Sequence, residues 1–258
     1  MGPTVLVTRP AAQAGAWVER LRQAGVDAKA LPLLAIGPVD TDAERAALHS
    51  AWQSLPGRAL VMFVSPNAVE GFLGARPRGL PWPDDLRAGA TGPGTLESLH
   101  RAGVPASACV APSGPPYDSA SLWAQLRSES WAGRSVLIVR GDGGRDEFAQ
   151  SLREAGADVD FVQAYRRGLP AWSANERAVA DAAVAAPQRH VWLLSSGEAV
   201  GHLGRLLPEA AWAHARALAS HERIAARARG AGFGQVAEAP PTIEAVLAAL
   251  RSLEPPAP

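Results

Sequence analysis

The sequence predicts an α/β protein with helices on both faces of a parallel sheet, the doubly wound class, and it predicts that arrangement twice. Three observations carry this: an internal repeat about 131 residues apart, short β-branched-rich runs in each copy, and helical segments of about 10–15 residues between those runs. Val5-Leu6-Val7-Thr8-Arg9 aligns with Val136-Leu137-Ile138-Val139-Arg140 at an offset of 131 (136 − 5). Leu21-Arg22-Gln23-Ala24-Gly25-Val26-Asp27 keeps that offset against Leu152-Arg153-Glu154-Ala155-Gly156-Ala157-Asp158, as does Phe63-Val64-Ser65-Pro66-Asn67-Ala68-Val69 against Leu194-Ser195-Ser196-Gly197-Glu198-Ala199-Val200. After a two-residue deletion, Ala90-Thr91-Gly92-Pro93-Gly94-Thr95 meets Ala219-Ser220-His221-Glu222-Arg223-Ile224 at an offset of 129, with Gly103 over Gly232. Matches that stay in order along the whole chain point to one unit written twice.

Within each copy the elements follow one order. Residues 5–8 and 136–139 are continuous apolar runs, as expected of strands covered on both faces. A helix follows each. In the first copy Pro10 suits a helix start, Trp17, Val18 and Leu21 form one apolar stripe, and Gly25 supplies a left-handed stop. In the second, Asp142 or Gly143 is expected to open the helix, Phe148 and Leu152 to line it, and Gly156 to end it. Long second strands are expected over 28–36 and 159–166, giving way to the Pro-containing segments Gly37-Pro38 and Gly168-Leu169-Pro170. Ala-rich helices around 43–55 and 175–186, then buried strands over 59–64 and 190–194, complete a repeated β-α-β-α-β series.

Composition narrows the functional classes. A chain of 258 residues with 47% apolar content favours two cores of ordinary domain size. Lys plus Arg and Asp plus Glu number 25 each, so neither a nucleic-acid partner nor an anionic membrane surface is expected. The one cysteine, Cys109, reads as a small buried hydrophobe and suits a reducing compartment. The N-terminus turns polar at Arg9 without a signal-peptide pattern, and no apolar run approaches the roughly 18 residues of a membrane span, so a soluble, cytoplasmic chain is expected. His49, His100, His190, His202, His214 and His221 show no metal-ligand spacing, and Gly141-Asp142-Gly143-Gly144 lacks the third glycine of a dinucleotide loop. The tryptophans read as core, and the tail over 254–258 reads as frayed.

Several motifs, taken in order, resemble the uroporphyrinogen-III synthase family over the whole chain. In the first half these are Val5-Leu6-Val7-Thr8-Arg9-Pro10, Val64-Ser65-Pro66-Asn67-Ala68-Val69 and Ala90-Thr91-Gly92-Pro93-Gly94-Thr95. In the second half they are Arg140-Gly141-Asp142-Gly143-Gly144-Arg145-Asp146, Ala164-Tyr165-Arg166-Arg167 and Ser220-His221-Glu222-Arg223-Ile224-Ala225. The resemblance implies two similar flavodoxin-like lobes with exchanged halves: residues 1–36 with 169–258 as one, 40–165 as the other, and 33–39 and 164–170 as a two-stranded antiparallel connector acting as a hinge. It implies a cofactor-free, monomeric lyase acting on the small molecule hydroxymethylbilane, closing it with loss of water and inversion of the last pyrrole through a spiro intermediate. A bilobal tetrapyrrole-binding protein without catalysis is the alternative. A nucleotide-dependent transferase with two Rossmann-like lobes would need a phosphate loop, and none is found in the sequence.

On that resemblance, Tyr165 is the candidate general acid for the leaving hydroxyl. Its repeat equivalent is Leu34, although a tyrosine at a strand edge also serves simply by packing its ring. Substrate carboxylates are expected at turns after strands, where free N–H groups favour anions. The candidates are Ser65, Pro66 and Asn67, Gly92 and Thr95, Ser196 and Gly197, and Ser220 and His221. Helix capping is the plainer role for each hydroxyl, and His221 equally suits a solvent-facing place. Arg9 and Arg140, matched in the repeat, are expected to meet carboxylates or to pair with acidic neighbours such as Asp142 or Asp146; Gly141 and Arg145 complete the set. The second turn departs from the family pattern, because Ile224 stands where a threonine is usual, leaving Ser220 and local backbone as the contacts there.

Overall fold

The computed structural model describes residues 2–144 and 146–253. In chain order the elements are β1 (Thr4–Val7), α1 (Ala11–Gln23), β2 (Ala28–Ala30), β3 (Ala35–Gly37), α2 (Asp42–Gln53), β4 (Arg58–Phe63), α3 (Pro66–Gly74), β5 (Arg87–Ala90), α4 (Pro93–Arg101) and β6 (Cys109–Val110). There follow α5 (Ser119–Leu126), β7 (Ser135–Gly141), α6 (Glu147–Glu154), β8 (Asp158–Gly168), α7 (Ala174–Ala185), β9 (His190–Leu194), α8 (Gly197–Leu206), β10 (Arg216–Ala219), α9 (Glu222–Gly230), β11 (Gln235–Glu238) and α10 (Ile243–Leu253). Among the described residues no helix is long and apolar enough to cross a membrane.

The chain divides into two compact units, one holding residues up to Ala35 and from Gly168 onward, the other Ile36–Arg167. The first carries a five-stranded sheet in the order β11-β10-β9-β1-β2, with every pair parallel. The second carries a six-stranded sheet in the order β3-β8-β7-β4-β5-β6, parallel from β8 to β6. Each sheet mixes the two repeat copies: β1 of the first copy lies beside β9 of the second, and β7 of the second beside β4 of the first.

Both units bury their strands as a parallel sheet requires. On β4, Val61 and Phe63 face a cluster with Trp52, Phe72 and Leu99, whereas Leu60 and Met62 face one with Leu122, Trp131, Phe148 and Leu152. This period-2 alternation places α2, α3 and α4 on one face and α5 and α6 on the other. In the first unit Val5, Val7, Val191 and Leu193 pack against Val18 and Leu21 of α1 and Val246 and Leu250 of α10. Trp212 stacks on Phe233 at 4.8 Å, and both meet the edge of the buried Trp192. Close packing also fixes Gly71 on α3, because a β-carbon there would overlap the carbonyl of Ala164 on β8.

Two expectations about the elements need correction. The expected long strand over 28–36 is two short strands in different sheets. The Leu31 and Leu33 N–H groups still donate to the Val7 and Thr8 carbonyls at 2.9 and 3.2 Å, but the Pro32 and Leu33 carbonyls are taken by Trp172 Nε1 at 2.7 Å and His202 Nδ1 at 2.7 Å rather than by a neighbouring strand. Its counterpart β8 has no proline and runs unbroken for 11 residues. The helix expected to open at Asp142 or Gly143 begins at Glu147. Gly143 and Gly144 hold φ of 73° and 150°, which a right-handed helix excludes, and Asp142 instead accepts the Arg167 backbone N–H at 3.3 Å. Arg145 and residues 254–258 lie outside the described residues.

Candidate active site

In parallel sheets all carboxyl ends point one way, so the turns after β4, β5, β6 and β7 emerge along one edge of the six-stranded sheet. Ser65 follows β4 and caps α3, its Oγ accepting the Ala68 N–H at 3.2 Å, with Pro66 in the first helical turn. The same Oγ donates to the Tyr165 hydroxyl oxygen at 3.3 Å. After β5, Thr91 donates to the Val64 carbonyl at 3.3 Å, and Gly92 caps α4 without a side chain. Thr95 is buried, at 3% exposure, with its Oγ1 3.3 Å from that of Thr91. Its hydroxyl therefore supports the turn, and Thr91 stands nearer solvent.

A β-bulge sets the position of Tyr165. The β7–β8 ladder pairs Arg140 with Gln163, then Gly141 with Tyr165, leaving Ala164 as the extra residue. Bulges re-aim side chains in this manner. The Tyr165 ring lies directly on Gly141: a β-carbon on Gly141 would stand 2.8 Å from Cε2 and 2.9 Å from Cζ. The ring is 7% exposed. Tyr165 therefore touches both Gly141 and Ser65.

Each repeat arginine lies over an aromatic ring in its own unit. Arg140 places its guanidinium 3.8 Å from the Phe161 ring centroid and pairs with Asp146 at 2.5 Å, the acidic partnership open from the sequence. Arg9 lies 4.6 Å from the Trp17 ring centroid, and its Nε is buried without a hydrogen-bond partner. Burial lowers the Arg9 pKa from its ordinary value. At the edge of the five-stranded sheet, Ser196 caps α8 by accepting the Ala199 N–H at 3.3 Å. Gly197 gives its carbonyl to Arg227 at 3.1 Å, and the Ser220 N–H donates to Leu194 at 3.0 Å. His221 caps α9, its Nδ1 accepting the Arg223 N–H at 3.1 Å.

Beside Tyr165, Arg166 grips Glu44 of α2 through Nε at 3.0 Å and Nη2 at 2.9 Å. Those bonds first, then the Thr41 hydroxyl, hold the Glu44 carboxyl down to about 2 from its ordinary 4.5. A depressed folded-state pKa contributes stability that is complete above the unfolded value and lost as pH falls through the folded one. Glu44→Gln should therefore lower the denaturant midpoint by a constant amount above about pH 5. The gap to the parent should close between pH 4.5 and 2; a gap independent of pH would show that the carboxylate charge is not its source.

Thr91 and Tyr117 were not among the sequence candidates. Thr91 had a signal in the repeat, since Ser220 matches it with another hydroxyl. Tyr117 had none, lying in a Pro- and Gly-rich loop without a matched partner. Two clefts of about 410 and 580 Å³, bordered by residues such as Pro56 and Pro83, precede β4 and β5 and so open at the amino edge. Among the described residues no three His, Cys, Asp or Glu side chains gather as metal ligands.

Parallel α/β sheets with Ser-, Thr- and Gly-bearing turns at their carboxyl edges form the class of α/β proteins that take ligands at that edge. The family model described as uroporphyrinogen-III synthase HemD matches residues 15–248. The chain belongs to the uroporphyrinogen-III synthase family. It is 32% identical over 248 residues to the uroporphyrinogen-III synthase of Salmonella typhimurium, covering 90% of this chain and 93% of that one. To the Escherichia coli K12 enzyme it is 29% identical over 244 residues, with the same coverage. Its fold matches the crystal structure of uroporphyrinogen-III synthetase from Helicobacter pylori with a TM-score of 0.63 at 16% identity, covering 98% and 100% of the two chains. A mutant synthase from Thermus thermophilus matches with a TM-score of 0.60 at 17% identity and 98% coverage of both.

Proposed function

We propose that this chain closes hydroxymethylbilane to uroporphyrinogen III. Membership of the family over most of the chain carries the reading. The terminal hydroxyl leaves as water to give an electrophilic azafulvene. Its methylene carbon bonds to the substituted carbon of the last pyrrole, forming the spiro intermediate; that fragments, recloses inverted, and sheds a proton. The substrate supplies its own electron-rich pyrroles, so the protein's share is to hold one reactive conformer and help water depart.

Tyr165 is assigned the proton for the departing hydroxyl. The Ser65 hydroxyl donates to the phenol oxygen, which leaves the phenol proton free for the substrate. Arg9 and Arg140, with the turns at Ser65–Asn67, Gly92–Thr95, Gly141, Ser196–Gly197 and Ser220–His221, are assigned to substrate carboxylates. Arg140 would exchange part of its Asp146 pair for them. In this reading the units are flavodoxin-like lobes with exchanged halves, connected through 33–39 and 164–170, and the protein works as a cytoplasmic monomer. Supporting the exchange, β1–β9 and β4–β7 pair strands from opposite copies of the repeat.

The test supplies hydroxymethylbilane generated in situ by the preceding pathway enzyme, oxidises the products and separates the isomers by chromatography. Type III should predominate. The type I isomer alone, as forms without enzyme, would reject catalysis; retention of the tetrapyrrole with type I product would instead favour a binding protein.

A further inference from the structure

We infer that Tyr117 is a substrate-binding residue whose ring stacks on a pyrrole of the same linear tetrapyrrole, well away from the Tyr165 hydroxyl; this rests on the function proposed above. β6 runs parallel to β5, so the loop over 111–118 leaves the sheet on the edge that carries Ser65, Gly92 and Gly141. Tyr117 is 50% exposed, and among the described residues it is the only aromatic ring in the exposed class of large hydrophobics. An aromatic ring left half in water at a ligand edge, while the tryptophans and Tyr165 are largely covered, needs a reason.

The ring is held, not trailing. Its Cβ and Cγ stand 3.0 and 3.6 Å from where a β-carbon on Gly92 would be, so the missing side chain at Gly92 is the seat of Tyr117. Asp118, the next residue, fixes the loop by accepting the Ser121 N–H at 2.8 Å as the cap of α5. From Tyr117 a run of contacts leads through Gly92 and Thr91 to Val64, Ser65 and Tyr165. Three interstrand steps separate β8 from β5, roughly 14 Å at about 4.8 Å each, a distance that linked pyrroles in an extended chain can bridge. Electron-rich pyrroles offer flat faces for offset stacking, and a phenol presents such a face while keeping its hydroxyl wet.

Steady-state kinetics with in situ hydroxymethylbilane would test this on Tyr117→Ala and Tyr117→Phe. Tyr117→Ala should raise KM roughly three- to tenfold with kcat within about twofold, and Tyr117→Phe should restore the parent KM. Thermal melting of both variants should match the parent, since the ring is half in water. A KM for Tyr117→Ala within twofold of the parent, or a Phe variant as weak as the Ala variant, would overturn the stacking role while leaving the function standing. Should Tyr117→Ala melt early, Tyr117→Leu decides instead, because it keeps apolar bulk and loses the flat face: a raised KM is expected, and a KM within twofold of the parent would overturn the stacking role. A parent that yields no type III product would fail the function first, and the inference with it.

Discussion

Tyr165→Phe should lower turnover by about 100-fold or more, because a positioned general acid typically contributes that much. The substitution removes one oxygen from a ring that is 7% exposed and seated on Gly141, so the packing is retained. What is lost is the proposed proton donor and the acceptor for the Ser65 hydroxyl. Loss of that neutral hydrogen bond should cost stability only about 1 kcal/mol, since Ser65 keeps its cap on α3. Single-turnover measurement of type III product, with melting as the control, separates the two effects. Turnover within about twofold of the parent would remove Tyr165 from the chemistry and leave it a packing residue.

Gly141→Ala should produce a loss of comparable size without touching the phenol itself. The new methyl would stand 2.8 Å from Cε2 and 3.3 Å from the hydroxyl oxygen of Tyr165, closer than a ring tolerates. The ring cannot swing away freely, because the bulge at Ala164 fixes its backbone, and the Ala164 carbonyl stands against Gly71 of α3. The hydroxyl should therefore be displaced by the order of an ångström, and a misplacement of that size can cost about 100-fold in rate. Overpacking should also cost roughly 1–3 kcal/mol of stability. A kcat within about threefold of the parent, in a variant with normal melting, would show that Tyr165 does not need its seat. Combining Gly141→Ala with Tyr165→Phe should give far less than the product of the two losses, since both act through one hydroxyl.

How far the site could be read from the sequence depended on the kind of interaction. The repeat made the strand-end turns visible, because Ser65 and Ser196, or Thr91 and Ser220, recur at fixed offsets. It could not separate a cap from a contact: both serines bond the N–H three residues on, which is what a serine before a helix does with or without a ligand. Tyr165 stood out by the family resemblance, with its mismatch to Leu34 in support, yet its partners, Ser65 at 100 residues' separation and Gly141 across the ladder, are contacts between distant segments. The place of the first long strand was misread because its apolar residues read as one run, whereas the Pro32 and Leu33 carbonyls turn to the Trp172 and His202 side chains from distant segments. The start of α6 was misread because Gly143 and Gly144 take φ values open to glycine in a loop, and local pattern alone does not say which conformation a glycine chooses.

By itself the sequence determined the α/β class, the duplication and the family, since all of these follow from periodicity and ordered motifs along one chain. Tertiary structure alone decided which strands share a sheet, that an inserted Ala164 turns Tyr165 onto Gly141, and that Thr95 is covered while Tyr117 is not. The physical reason is range. Strand and helix signals arise from neighbours a few residues apart, whereas sheet partners, bulges and burial depend on packing between segments whose separation in sequence carries no periodic trace.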